Sequence, residues 1–412
     1  MPPAGLCRNF PAGSLLEIAM SRCRCAVRTA AFATLFPLTV AAQTPSPLAN
    51  LARTPPMGWN SWNKFACNVS EELIRETADA MVASGMRDAG YQFVVIDDCW
   101  QIARDSSGTI VADPERFPSG MKALADYVHS KGLKFGLYSD AGMLTCQRRP
   151  GSRGYEFQDA RTYAAWGVDY LKYDWCAHGS QNAEASYQLM RRALDQAGRP
   201  IVFSICEWGS NKPWLWAQGI GHLWRTTGDI TACFDCDQRG YGFARILDMQ
   251  VGLESSAGPG GWNDPDMLEV GNEGLTAVES RAHFSLWAIL AAPLMAGNDL
   301  RSMTAETRDI LTNGEVIAVN QDSLGRQGRK VRDDGDLEVW VRELADGSRA
   351  VALFNRSTTA ADIAVRWPEI GYPASLEAQV RDLWAHRDVG RARGAYRANV
   401  PAHGAVMVRI TP

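Results

Sequence analysis

The stretch YLKYDWC, Tyr170 to Cys176, begins as an apolar strand and finishes on a cation and an acid. Side chains alternate faces along a strand, so Tyr170, Lys172 and Asp174 share one side and Leu171 and Tyr173 the other. Burying Lys172 and Asp174 on an inward face is costly unless the two pair or do chemistry. A structural ion pair would meet that requirement with no function attached. A second stretch, WRTTGDI, sets Arg225, Thr227 and Asp229 on one side by the same alternation. Each acid then has a cation on its own strand, and Lys172 should lower the pKa of Asp174 and keep it ionised, as a nucleophile requires.

What decides between pairing and chemistry is how many strands end this way. Apolar runs of strand length recur as TPPMGWNSW, QFVVIDDCW, LKFGLYSDAG, VDYLKYDWC, PIVFSICEWG, HLWRTTGDI, GGWNDPDML and APLMAGNDL. Helix-like segments such as Ser70 to Ala89, Met121 to Lys131 and Ala183 to Ala197 separate them. Strand–helix alternation implies a parallel sheet. Eight such units over about 270 residues fit a (β/α)₈ TIM barrel, an α/β fold. No G-x-G-x-x-G follows the first strand, which argues against a doubly wound nucleotide-binding sheet. Barrel enzymes carry their chemistry at the C-terminal strand ends. Asp97 and Asp98, Asp140, Asp174, Glu207, Asp229, Asp266 and Asp299 fall there and are expected to converge on one pocket. One such acid is an ordinary helix cap; acids at seven of eight ends are not explained by capping.

The texture changes near Gly325. LEVWVREL, RAVALFNRS, ADIAVRW and AVMVRI are short alternating runs between turn signals, as in a small antiparallel β-sandwich. The expected division is a leader at residues 1–42, a catalytic barrel at 51–325 and the β domain at 326–412. Within the leader, the uncharged TAAFATLFPLTVAA after Arg22, Arg24 and Arg28 reads as a secretory signal with Met20 as the start, cleaved near Ala42. The chain is then periplasmic or secreted. At 14 residues it is too short to span a bilayer, which takes about 20.

The 412 residues carry a formal net charge of only -4, with no basic stripe, which excludes nucleic acid and an anionic membrane surface as partners. Six histidines and no paired C-x-x-C motif speak against a metal site, and no cofactor motif is present. Loss of Cys7, Cys23 and Cys25 with the leader leaves seven cysteines in an oxidising compartment, where disulfides are favoured. A ring of carboxylates with few histidines suits either a divalent cation held by acids or glycoside hydrolysis between two carboxylates. Tryptophan at the same rim favours sugar, because an indole face packs on the apolar side of a pyranose.

PPMGWNSWN, IDDCW, GLYSDAG, YLKYDWC, CEWG, WRTTGDI and GGWNDPDML, in this order, resemble the successive motifs of the melibiase-type α-galactosidases, glycoside hydrolase family 27, and the plant and microbial members in particular. The similarity runs from about Thr54 to Gly328, and more weakly through the C-terminal module. It implies a retaining, exo-acting α-galactosidase that needs no cofactor and acts on small or oligosaccharide galactosides, and it leaves a homo-oligomer open. Asp174 would be the nucleophile and Asp229 the general acid/base. Asp97 and Asp98 would bind the O4 and O6 side of galactose, Lys172 its O3/O4 edge, and Glu207, Trp208 and Arg225 would surround O2. Trp59, Tyr138 and Asp266 would complete the wall.

The resemblance also implies the disulfides Cys67–Cys99 and Cys146–Cys176. Where animal relatives have a cysteine partner for Cys206, Gly221 stands here, which leaves Cys206 free and Cys233–Cys236 as a local bridge. A related activity on α-N-acetylgalactosaminides or β-L-arabinopyranosides is the alternative. Glu207 fills the space that small residues occupy in the former relatives, and both Asp97 and Asp98 are present where the latter replace one.

Overall fold

In a computed structural model, the structure describes residues 51–412 apart from Arg239; the leader lies outside the described residues. Eight short strands, β1 (Met57–Asn60), β2 (Phe93–Val95), β3 (Lys134–Asp140), β4 (Tyr170–Asp174), β5 (Val202–Ile205), β6 (Leu223–Arg225), β7 (Trp262–Asp264) and β8 (Leu294–Ala296), form one sheet. Every ladder in it is parallel, and β8 pairs back onto β1. Between β7 and β8 the ring closes one turn later, through a parallel bridge from Leu268 to Ala296. The strands are buried on both faces, which is why they read as continuous apolar runs rather than alternating ones. A (β/α)₈ barrel results.

The outer helices are α1 (Glu71–Ala83), α2 (Gly120–Ser130), α3 (Glu156–Trp166), α4 (Ala183–Gln196), α5 (Phe243–Met249), α6 (Ala277–Ile289), α7 (Ala305–Leu311) and α8 (Gly314–Asn320). Local chemistry starts them: Ser70 caps α1, Asn182 caps α4, and Thr276 with Glu279 forms a capping box on α6. α1 stops six residues short of the expected Ala89, because Gly85 adopts a left-handed backbone (φ 83°) that breaks the helix. A second departure follows β5. Its connection to β6 holds only the single 3₁₀ turn Pro213–Leu215. Trp208, Gly209, Lys212 and Gly219 there all have positive φ, so this segment folds as a loop over the rim instead of a helix.

The C-terminal strands are β9 (Arg329–Asp334), β10 (Leu337–Glu343), β11 (Arg349–Asn355), β12 (Ala361–Arg366), β13 (Glu377–Asp382), β14 (Arg387–Arg393), β15 (Ala395–Val400) and β16 (Ala405–Thr411). A six-stranded antiparallel sheet, ordered β9-β10-β11-β16-β13-β14, faces the two-stranded β12-β15 ladder. Alternation along β10 sorts its residues. Val339 and Val341 enter the sandwich core, while Trp340 joins the barrel's core. Arg342, on Trp340's face, is fully buried and donates to the carbonyls of Ala288 and Asn320 at 2.9 and 3.0 Å, at the ends of α6 and α8. The sandwich is thereby stitched to the barrel.

Candidate active site

Alternation along β4 does what the sequence requires. Tyr173 points outward, edge-on to Tyr187 of α4, while Lys172 and Asp174 line a cavity of about 290 Å³ at the C-terminal strand ends. Asp174 is only 5% exposed. Its Oδ1 accepts from Trp175 N at 3.0 Å and its Oδ2 from the Tyr138 hydroxyl of β3 at 2.9 Å. Cys146 Sγ lies 3.4 Å from that same oxygen. Bonded to Cys176, this sulfur has no proton to donate and acts as an apolar neighbour.

Lys172 does not pair directly with Asp174. Its ammonium bonds Asp97 Oδ2 at 2.7 Å, and the same oxygen accepts from Asn60 Nδ2 at 2.8 Å. Asp98 accepts from the N–H groups of Cys99 and Gln147 at 2.7 and 2.9 Å, and burial raises its pKa. Across the pocket, one guanidinium holds two acids: Arg225 Nη2 is 2.9 Å from both Asp229 Oδ1 and Asp266 Oδ2. Asp266 also receives the Ile230 N–H at 2.8 Å. Arg225 is buried, whereas the Asp229 side chain is 56% exposed.

These environments push the two principal acids apart. Burial drives Asp174 up to about 6, against the pull of Lys172 and Tyr138; the expected net lowering by the lysine is therefore overturned by desolvation. Burial also acts to raise Asp229, but Arg225 and then Lys172 outweigh it and hold that carboxyl low. With half of Asp229 in water, the pull of Arg225 is partly screened.

Nine of the eleven expected active-site residues line this cavity: Asp97, Asp98, Tyr138, Lys172, Asp174, Trp208, Arg225, Asp229 and Asp266. Two do not. Trp59 is fully buried and spends its indole N–H on the Asn298 carbonyl at 2.8 Å; Trp62, one helical turn further on in the same motif, lines the pocket instead. Glu207 is fully buried, its Oε2 accepting from Asn211 N and Nδ2 at 2.6 and 2.7 Å, and Trp208 lines the pocket from that loop.

Two strand-end acids also leave the ring. Asp140 is fully buried and accepts from Gly142 N and Cys176 N at 2.6 and 2.9 Å, tying β3 to β4. Asp299 caps a 3₁₀ turn and pairs with Arg301 at 2.8 Å, the ordinary capping role. Asn63, Ala66, Ile230, Thr231, Met267 and Glu269, none of them among the expected site residues, also line the cavity. Asn63, Ile230 and Met267 stand at or near the ends of the motifs and Ala66, Thr231 and Glu269 one to three positions beyond them, past the strands, where a two-residue period gives no direction.

Cys67–Cys99, Cys146–Cys176 and Cys233–Cys236 are disulfides and Cys206 is a buried free thiol. Among the described residues, the group with metal-ligand proximity is Asp140, Cys146 and Cys176, and its two sulfurs are bonded to each other.

A barrel whose C-terminal rim holds buried carboxylates, a lysine, an arginine and two tryptophans around one small polar cavity defines a glycoside hydrolase. Residues 54–322 match the family model of α-galactosidase A, and 334–410 that of the α-galactosidase C-terminal β-sandwich domain. The chain belongs to this melibiase family. It is 54% identical to α-galactosidase A of Cellvibrio japonicus over 88% of this chain and 93% of that one. In structure it resembles α-galactosidase I of Mortierella vinacea, with a TM-score of 0.84, 41% identity, and coverage of 88% and 98% of the two chains. The α-galactosidase of Saccharomyces cerevisiae in its structure with raffinose gives a TM-score of 0.84 and 32% identity, covering 90% of this chain and 100% of that one.

Proposed function

We propose that this enzyme is an exo-acting α-galactosidase that hydrolyses terminal α-D-galactosyl residues with retention of configuration. The observation that carries the assignment is the pairing of a buried carboxylate, Asp174, with an exposed one on an arginine, Asp229, in a single sugar-sized pocket. In the first step Asp174 attacks the anomeric carbon while Asp229 passes its proton to the departing glycosidic oxygen. In the second, Asp229 takes a proton from water, the oxygen of that water attacks the same carbon, and Asp174 leaves.

The Tyr138 hydroxyl orients the attacking carboxylate. Asp97 and Asp98 take the O4 and O6 hydroxyls, with Lys172 donating at O3/O4. Arg225 and Trp208 stand at O2, and Glu207 acts there by shaping the loop that presents Trp208. Trp62 serves in place of Trp59 as the stacking face. The proton on Asp229 that the first step needs is supported by substrate itself: a bound galactoside removes water from this acid and so raises its pKa. Three disulfides suit an oxidising compartment and support export through the leader at residues 1–42.

Hydrolysis of a panel of nitrophenyl glycosides, with and without EDTA, tests the proposal. α-D-Galactoside should exceed α-N-acetylgalactosaminide and β-L-arabinopyranoside by at least about tenfold in kcat/KM, unaffected by chelator, since a pocket built around particular hydroxyls rejects mismatched sugars. Comparable values would transfer the assignment to one of the related sugars.

A further inference from the structure

Asp229 stands on a loop, and its side chain is steadied by a single arginine. Backbone hydrogen bonds, a disulfide and a close glycine contact fix the loop. The Tyr241 N–H donates to the Asp229 carbonyl at 2.8 Å, Thr231 N–H to the Tyr241 carbonyl at 3.0 Å, and Ala244 N–H to the Phe234 carbonyl at 3.0 Å. The Cys233–Cys236 disulfide closes the tip. Gly274 packs so tightly against the Ala232 carbonyl that a Cβ there would come within 1.9 Å.

At the tip, Phe234 leaves the barrel for the sandwich. Its ring stacks on the imidazole of His403, with centroids 4.0 Å apart and planes within 10°, and lies 6.0 Å from Phe354 of β11. It also meets Phe243 of α5 edge-on at 5.2 Å. His403 is itself held, its Nδ1 being 3.0 Å from Glu279 Oε1 in the capping box of α6. A continuous packed path thus runs from the loop before β16 through Phe234 to Asp229.

We propose that the β-sandwich is a positioning element for proton transfer: Phe234, seated on His403 and Phe354, sets the loop that aims Asp229 at the leaving-group oxygen. The inference rests on Asp229 being the general acid/base. Phe234 and His403 touch no reacting atom and act only through the loop.

Full-length Phe234→Ala and His403→Ala should be compared with Asp229→Ala on two substrates: a dinitrophenyl α-galactoside, whose leaving group needs no proton, and methyl α-galactoside, whose leaving group does. Misplacement of the acid should lower kcat/KM on the methyl glycoside by about tenfold or more and on the aryl glycoside by less than about threefold, a weaker copy of the Asp229→Ala pattern. The ratio of the two kcat/KM values does not depend on the fraction of folded enzyme. Phe234→Leu and His403→Leu, which keep the apolar volume, supply that ratio if the alanine variants do not accumulate. An unchanged ratio overturns the inference, whatever the loss of total activity. An Asp229→Ala enzyme whose ratio is unchanged overturns the assignment of Asp229 instead.

Discussion

Lys172 Nζ sits 2.7 Å from Asp97 Oδ2, one strand-pair away from the acid its sequence neighbourhood points to. This bond joins the end of β4 to the end of β2 across the intervening β3. Burial acts to lower the lysine's pKa, but the neighbouring negative groups, Asp97 foremost and Asp174 among them, together outweigh it, so Lys172 stays charged and lends its field to Asp174 from the side. Lys172→Met would leave Asp97 buried without a cation. It should destabilise the fold by about 3–5 kcal/mol, the usual effect of breaking a buried pair. Urea titration measures the loss, and a change below about 1 kcal/mol would mean that the pair is solvated.

On an activated aryl galactoside, which needs no proton from Asp229, the acid limb of kcat/KM should follow Asp174, whose carboxyl must be ionised to attack and stands near 6. The negative charge of Asp229 contributes to that elevation. Asp229→Asn should therefore move the acid limb to lower pH on an activated aryl galactoside, where loss of the proton donor matters least. A limb that stays in place would show that the two acids do not interact across the pocket.

Several buried carboxylates other than the nucleophile are raised by desolvation, Asp140 to about 8, Glu269 to about 7 and Asp264 to about 6. Each stays protonated in the folded chain after its unfolded counterpart has ionised. Stability should therefore fall as pH rises from about 4 through 8, by an upper limit of about 1.4 kcal/mol for each unit of elevation. Groups with lowered values, Glu71, Asp299 and Glu315 among them, stabilise above their unfolded pKa and lose that effect only as pH falls below about 4. Melting temperature should peak between about pH 4.5 and 6. A maximum at pH 8 would contradict these protonation states.

Trp59 and Trp62 should separate stability from recognition. Trp59→Ala empties a fully buried indole site and should cost about 3–5 kcal/mol. Trp62→Ala should instead reduce kcat/KM on galactosides by about tenfold while leaving the melting temperature within a few degrees. The reverse outcome would return Trp59 to the pocket wall.

What could be read from sequence, and what could not, divides at the strand ends. Inside a strand the two-residue period gives direction, which is why Lys172, Asp174 and Tyr173 face as expected. Past the last ladder bond the period means nothing. Trp59 and Trp62 lie three residues apart in PPMGWNSWN, yet a four-residue helical turn at Trp62–Phe65 turns only the second toward the pocket. Glu207 and Asp299 lie off the cavity lining for a related reason, since each accepts from backbone or side-chain donors within four residues. The pairing of Lys172 with Asp97, 75 residues apart, leaves no local trace. Nor does the seat of Phe234 on His403, which only the docking of two domains creates.

The central claim is that Asp174 forms the covalent bond to galactose. A fluorinated galactosyl inactivator that traps the glycosyl–enzyme, followed by digestion and mass mapping, tests it most directly. The expected result is a single labelled peptide containing YLKYDWC with the modification on Asp174, and free galactose released first as the α-anomer. A label on any other carboxylate, or β-galactose as the first product, would contradict it.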